Sequence, residues 1–564
     1  MTNLASSESY RLQSSIGVSR ELSLTRPASN FDIVSEYFGR SRAISRIFSV
    51  ARSSHDCQRC IIEDIADIGL LGRDTEEMRG LGYDCAPQNK RITFWDAKGL
   101  LAGYLIVRND GIKDLPDEWY VFESVFRKYN HPHNCVPRPG IYHVKAKDVV
   151  HEVCGVMFAQ QNKRNKRCAQ VAIRALLSRL PQFEWLSYEK INTLASEFPV
   201  ESDSFNPKDG LSAAQIEGVL KRLGVRFCYI NYEKIATERT EEWESSNDWA
   251  GVPEAEKMER VERHWNEELV ALHKEFKYGK MLYDGAESGI GALVGFRTYD
   301  GKENARHIIP VFGHTFNKDS WVPDSRKFYF GDEDRALAYV QSDNWTSSFI
   351  GHDDNLGSDY CIPRAYLQPS DVMYAVELLA PDVAFSGGQA EVGAYKVLRS
   401  LMRQIDCESR WMIRLATAFT EGNVVLRSIS ASPEEYFGHL ERESDWEGRK
   451  EDSKTIEGFR HLNNPKMFWV VEVSLPQLFP ANERKIGEVI IDATDERFAD
   501  VNVADADEKD IAALLCSVVK WIRMPANYYI PSVSAPDDEE NLIQFSAAPS
   551  KLESHIGVLA LFGY

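Results

Sequence analysis

The sequence predicts an α+β protein of several domains, and three observations carry this. Helix-period and strand-like apolar runs are interleaved without a regular strand–helix alternation, and no internal repeat recurs. At 564 residues the chain exceeds what one hydrophobic core holds, so roughly two to four domains are expected. The hydrophobic fraction of 43% and the charged fraction of 27% are those of ordinary globular chains, which excludes disordered and fibrous classes for the bulk of the molecule.

Residues 1 to about 30, rich in Ser, Arg and Thr, are expected to form a disordered arm. An N-terminal α+β domain is expected over 31–148. Within it Leu101–Arg108 reads as a buried strand running into the turn Asn109-Asp110-Gly111. A central domain spans 149–368, and a C-terminal α+β domain spans 369–564. The last is predicted to hold helices at Asp371–Leu379 and Ala394–Gln404, strands at Met467–Val473 and Gly487–Asp492, and an acidic loop at Pro536–Glu540.

Composition bounds the partners. Sixty-six basic against 85 acidic residues leave a net charge of −19, which repels phosphate backbones, and no domain-scale basic groove offsets it. No apolar run approaches the ~20 residues that span a bilayer. The first residues lack the basic flank and apolar core of a secretion signal. Ten scattered cysteines then read as reduced thiols, and the expected location is the cytoplasm.

The stretch between Phe158 and Leu180 is the most informative. Gln160, Gln161 and the basic run Lys163-Arg164-Asn165-Lys166-Arg167 precede Cys168, after which Ala169, Ala172, Ile173, Leu176, Leu177 and Leu180 recur at helical spacing. Cys168 is therefore placed at the first turn of a buried helix. The helix N-terminus and the neighbouring Arg164, Lys166 and Arg167 would favour thiolate, whereas the plain alternative is a small apolar residue opening a core helix.

A thiol nucleophile takes its base from a distant histidine. His307 heads the run His307-Ile308-Ile309-Pro310-Val311-Phe312-Gly313, with Gly289–Phe296 as the partner strand of a hairpin. Pro310 calls for an edge position or a local irregularity. His314 is a second candidate, better suited to a turn or polar cap. A carboxylate should orient the imidazole. Asp353, where the strand Trp345–Ile350 enters an acidic turn, is one candidate, and Asp324 is its rival.

Two metal readings are open but weak in pattern. His352-Asp353-Asp354 could join His307 or His314, with no fixed-spacing zinc signature. Cys57, Cys60, Cys85, His131, His133 and Cys135 could form an N-terminal zinc site, yet no second CxxC exists. The run Asp505, Asp507 and Asp510 lacks the glycine and closing glutamate of a calcium loop. No metal or cofactor is assigned.

The order of glutamine, cysteine helix, histidine strand and aspartate strand over about residues 140–368 resembles the papain-like cysteine peptidase superfamily. It is most similar to the branch that trims bacteriocin leader peptides and to uncharacterised bacterial papain-like proteins. The resemblance implies a helix carrying the cysteine packed on an antiparallel sheet. It further implies Cys168 as nucleophile, His307 as general base and acid, Asp353 as orienter and Gln161 as oxyanion donor, with Gln160 as a second candidate. Alanine follows Cys168 where those peptidases carry glycine, the Gln161–Cys168 spacing is one residue longer, and about thirty-five residues separate the two strands. The implied activity is thiol-dependent hydrolysis of peptide or isopeptide bonds in a protein or peptide substrate. The alternative is a catalytically inactive scaffold of the same fold that binds a protein partner. The highly charged stretch Glu233–Lys280 would cover the cleft or bind such a partner.

Overall fold

The computed structural model describes residues 11, 15, 19–25, 27–39, 41–115, 118–128, 134–161, 167–198, 210–299, 304–315, 327–330, 337–355, 357–404, 410–444, 448–479, 484–501, 507–525, 527–534, 542–549 and 557–558. It is a mixed α+β protein built on three main sheets.

The first sheet is antiparallel in the order β1 (Arg20–Ser23), β2 (Cys57–Ile65), β3 (Gln88–Asp96), β4 (Leu101–Asn109) and β5 (Tyr120–Phe126). Every residue of β4 is buried, because one face packs against α2 (Arg42–His55) and the other against the hairpin β7 (Gly140–Ala146) and β8 (Val149–Gly155). The arm expected to be disordered takes part in this unit. Leu22 pairs with Cys60, Leu24 is fully buried, and Arg11 forms a buried ion pair with Glu123 at 3.2 Å. Apolar burial and a compensated charge outweigh the polar composition there.

The second sheet has the order β15 (Gly357–Pro363), β14 (Ser348–Asp353), β11 (Asn304–Thr315), β10 (Gly291–Tyr299), β16 (Val372–Leu378) and β9 (Phe227–Asn231). A short strand β6 (Asn134–Cys135) also pairs with β11. The helix α4 (Cys168–Leu177) packs through Ala172, Ile173 and Leu176 against Leu293, Ile308 and Phe312. Burying each such aliphatic chain stabilises by about 1.5–3 kcal/mol relative to exposure. The opposite face is covered by α9 (Tyr278–Glu287), whose Met281 and Leu282 meet Ala292, Val294, Ile309 and Val311. The charged stretch forms two antiparallel helices, α7 (Tyr232–Ser246) and α8 (Glu254–Glu275).

The helix expected at Asp371–Leu379 is instead a single 3-10 turn followed by the strand β16. Val372–Leu378 is buried along its whole length between β10 and β9, so it is apolar without alternation, as strands covered on both faces are. The expected boundary at 368/369 therefore runs beside a strand of the central sheet, and that at 148/149 cuts the β7–β8 hairpin.

Pro310 lies inside the sheet rather than on its edge, and the irregularity it called for is present. β14 pairs with β11 only from Val311 to His314, with a register shift between Val311 and Gly313. Toward His307 the ladder to β14 stops at the residue that has no N–H to give.

The third sheet has the order β12 (Lys327–Phe330), β13 (Leu337–Gln341), β17 (Val425–Ala431), β18 (Phe468–Ser474), β20 (Gly487–Asp492), β21 (Val519–Met524), β22 (Asn527–Val533) and β23 (Ile543–Pro549). The helix predicted at Ala394–Gln404 is the second half of α10 (Gly387–Gln404). β13 comes from the central part of the chain and pairs parallel to β17, so the units interlock. A buried row of cross-strand partners, Arg427, Glu472, Glu488 and Arg523, crosses this sheet.

Candidate active site

Cys168 is the first residue of α4 and is half-buried, as its place before the apolar periodicity predicts. Residues 162–166, Arg164 and Lys166 among them, lie outside the described residues. Arg167 is described and departs from expectation. Its guanidinium donates to Asp74 at 2.9 Å and to Glu77 at 2.5 Å, all three side chains being buried. Its charge is compensated by the N-terminal unit rather than offered to the thiol.

His307 sits on β11 opposite Phe296, whose ring meets the imidazole edge-to-face at 5.5 Å. The Cys168 thiol is among the groups that raise the proton affinity of His307, so the sulfur lies near the imidazole although 139 positions separate them in the sequence. Nε2 of His307 lies 3.5 Å from Oδ2 of Asp353 and 3.4 Å from Oδ1 of Asp354. Burial opposes charge on this ring. Asp353, the Cys168 thiol and Asp354 outweigh it and hold His307 up at about 10.

The path of β14 accounts for this meeting. Gly351 passes so close to β11 that a Cβ there would lie 2.6 Å from the Pro310 carbonyl oxygen. Beyond it the chain turns, with Asp353 Oδ1 accepting the N–H of Asn355 at 2.8 Å, and both aspartates come to the histidine. Asp354 is 4% exposed, and burial pushes its carboxyl up to about 6 against the pull of His307. It lines a small cavity together with Cys168, Ala172, Ile308 and Pro310.

Gln161 donates from Nε2 to Oδ1 of Asn355 at 2.8 Å, on the same turn as the two aspartates. Gln160 is committed elsewhere, since it exchanges backbone and side-chain hydrogen bonds with Val121 on β5.

The remaining candidates separate from this group. Asp324, His131, His133 and Asp505 lie outside the described residues, and so does the loop 536–540. His352 borders the same cavity but does not reach His307's carboxylates: Phe158 and Phe312 pack its ring, and the N–H of Asp359 donates to its Nδ1 at 3.1 Å. Burial keeps it neutral, down at about 3. His314 is a core residue and no turn cap: Nε2 meets Glu287 at 2.7 Å, and Arg427 holds the same carboxylate at 2.9 Å. Cys57 and Cys60 are buried on β2, and burial pushes both thiols up to about 12. Asp507 caps the helix Glu508–Val518.

Asp354, named from the sequence only as a potential metal ligand, comes as close to His307 as Asp353 does. Its signal was present, since two adjacent carboxylates after a strand can both turn inward when the strand ends in a turn, but only the bend at Gly351 decides that they do. No family model, curated protein or solved structure matches the chain.

Proposed function

We propose that the chain is a thiol hydrolase of papain-like design that cleaves peptide or isopeptide bonds, with Cys168, His307 and Asp353 as its triad. The observation that carries this reading is the convergence of His307, with two carboxylates at its Nε2, on a cysteine at a helix start that raises its proton affinity. An imidazole held charged beside a sulfur is the arrangement in which cysteine attacks as thiolate.

In this reaction the proton of Cys168 already resides on His307 as a thiolate–imidazolium pair, and the sulfur attacks the carbonyl carbon. Nε2 faces the carboxylates, which leaves Nδ1 as the nitrogen that serves the sulfur. The backbone N–H of Cys168, free of a helical acceptor at the helix start, and the Gln161 amide stabilise the oxyanion, each donor contributing about 3–4 kcal/mol. Gln161 must exchange its bond to Asn355 for this role. His307 then protonates the leaving amine, and water releases the acyl group from sulfur. Asp353 keeps the ring oriented and stabilises its charge. The flanking sheets supply the surfaces that select the substrate.

The test is labelling of the full chain with an electrophilic activity-based thiol probe, in the wild type and in Cys168→Ala. The reading expects one labelled site that disappears in the variant. Labelling retained in Cys168→Ala would place the reactive sulfur elsewhere and end the proposal. No selective labelling in a folded wild type would favour the scaffold alternative.

A further inference from the structure

We propose that Nε2 of His307, Asp353 and Asp354 together form a binding site for a divalent cation of the zinc class. One ligand atom from each of the three residues lies within 4.8 Å of the other two. The separations from Nε2, 3.5 and 3.4 Å, are longer than the ~2.7–3.2 Å of an N–H···O hydrogen bond. They match the edge of a tetrahedron instead. Zinc bonds of ~2.0–2.2 Å to nitrogen and oxygen place neighbouring ligand atoms ~3.3–3.6 Å apart. Octahedral magnesium, with bonds of ~2.0–2.1 Å, would require ~2.8–3.0 Å.

A second observation points the same way. Asp354 is 4% exposed, and no side chain donates a hydrogen bond to either of its oxygens. Two carboxylates thus converge on one imidazole in a place largely withdrawn from water, where a second positive charge is favoured. His352, next in sequence, takes no part, being turned into the core by Phe158 and Phe312. The other cluster of potential ligands among the described residues, Cys135, Glu287 and His314, is closed by the Arg427 guanidinium on Glu287.

The exchange balances as follows. The imidazolium of His307 releases its Nε2 proton to solvent, and the cation takes that lone pair along with one oxygen from each aspartate. The remaining ring proton then stays on Nδ1. Cation binding of this kind is independent of the hydrolase reading above.

The experiment is titration of the metal-free full chain with zinc chloride against a chromophoric zinc chelator, with cobalt(II) spectra as a second measurement. Asp353→Asn and Asp354→Asn are isosteric, and circular dichroism confirms their folding. The wild type and Cys168→Ala should each bind one tight equivalent and show the intense visible bands of tetrahedral cobalt. Each Asn variant should bind about 100-fold more weakly. Absence of a tight equivalent in the wild type, or wild-type affinity in either Asn variant, overturns the site. Loss of the hydrolase reading through Cys168→Ala labelling would leave the zinc titration unaffected, so the two failures are told apart.

Discussion

Nε2 of His307 lies 3.4 Å from Asp354 and 3.5 Å from Asp353, so one imidazole nitrogen faces two carboxylates at nearly equal range. Either can keep the ring oriented when the other is removed. In the hydrolase reading, Asp353→Asn and Asp354→Asn should each lower kcat/KM by about 10- to 100-fold, and the double variant by more than the product of the two. A double-mutant cycle measures this. Simple additivity would mean that the carboxylates act independently.

Arg167 is buried between Asp74 and Glu77. Arg167→Ala leaves Glu77 without its counter-charge and Asp74 with only the more distant Arg108 at 4.0 Å, and should destabilise the fold by about 3–5 kcal/mol. Chemical denaturation followed by fluorescence reads this. The alkylation rate of Cys168 in the folded fraction should stay at the wild-type value, because this guanidinium does not serve the sulfur.

Gly351→Ala places a methyl group 2.6 Å from the Pro310 carbonyl oxygen, a backbone atom that cannot rotate aside. The expected cost is about 1–3 kcal/mol in thermal or chemical denaturation. A larger fractional loss appears in activity, since the displaced strand carries Asp353 and Asp354.

How much of this was open to sequence reading depends on how local each signal is. The α4 periodicity, the His307 strand and its β10 partner are written in contiguous residues, and they occur where expected. The acidic turn is equally local. What the text does not carry is pairing over distance. Nothing near Arg167 announces Asp74, 93 positions away, and Val372–Leu378 is apolar on both faces, which suits helix and strand alike. β13 and Arg11 are similar cases, recruited by units far away in the chain.

His439 provides a pH test remote from the site. Its Nε2 accepts a hydrogen bond from Lys485 at 3.0 Å, and burial together with that ammonium holds the imidazole down at about 4, against an ordinary value of 6.5. The unfolded chain binds a proton below pH ~6.5 that the folded chain refuses until pH ~4. Stability from this group is thus complete above pH ~6.5 and is lost as the pH falls toward 4, by on the order of 3 kcal/mol. Denaturation midpoints for His439→Gln should fall less over that interval than those of the wild type.

The central claim is that His307 activates Cys168, and the most direct measurement is the rate of iodoacetamide alkylation of each cysteine near pH 6, followed by mass spectrometry. The account predicts that Cys168, although only half-buried, reacts faster than the exposed Cys154 and Cys361, and that His307→Ala removes the difference. Alkylation of Cys168 no faster than that of those two thiols, or unchanged in His307→Ala, would contradict it.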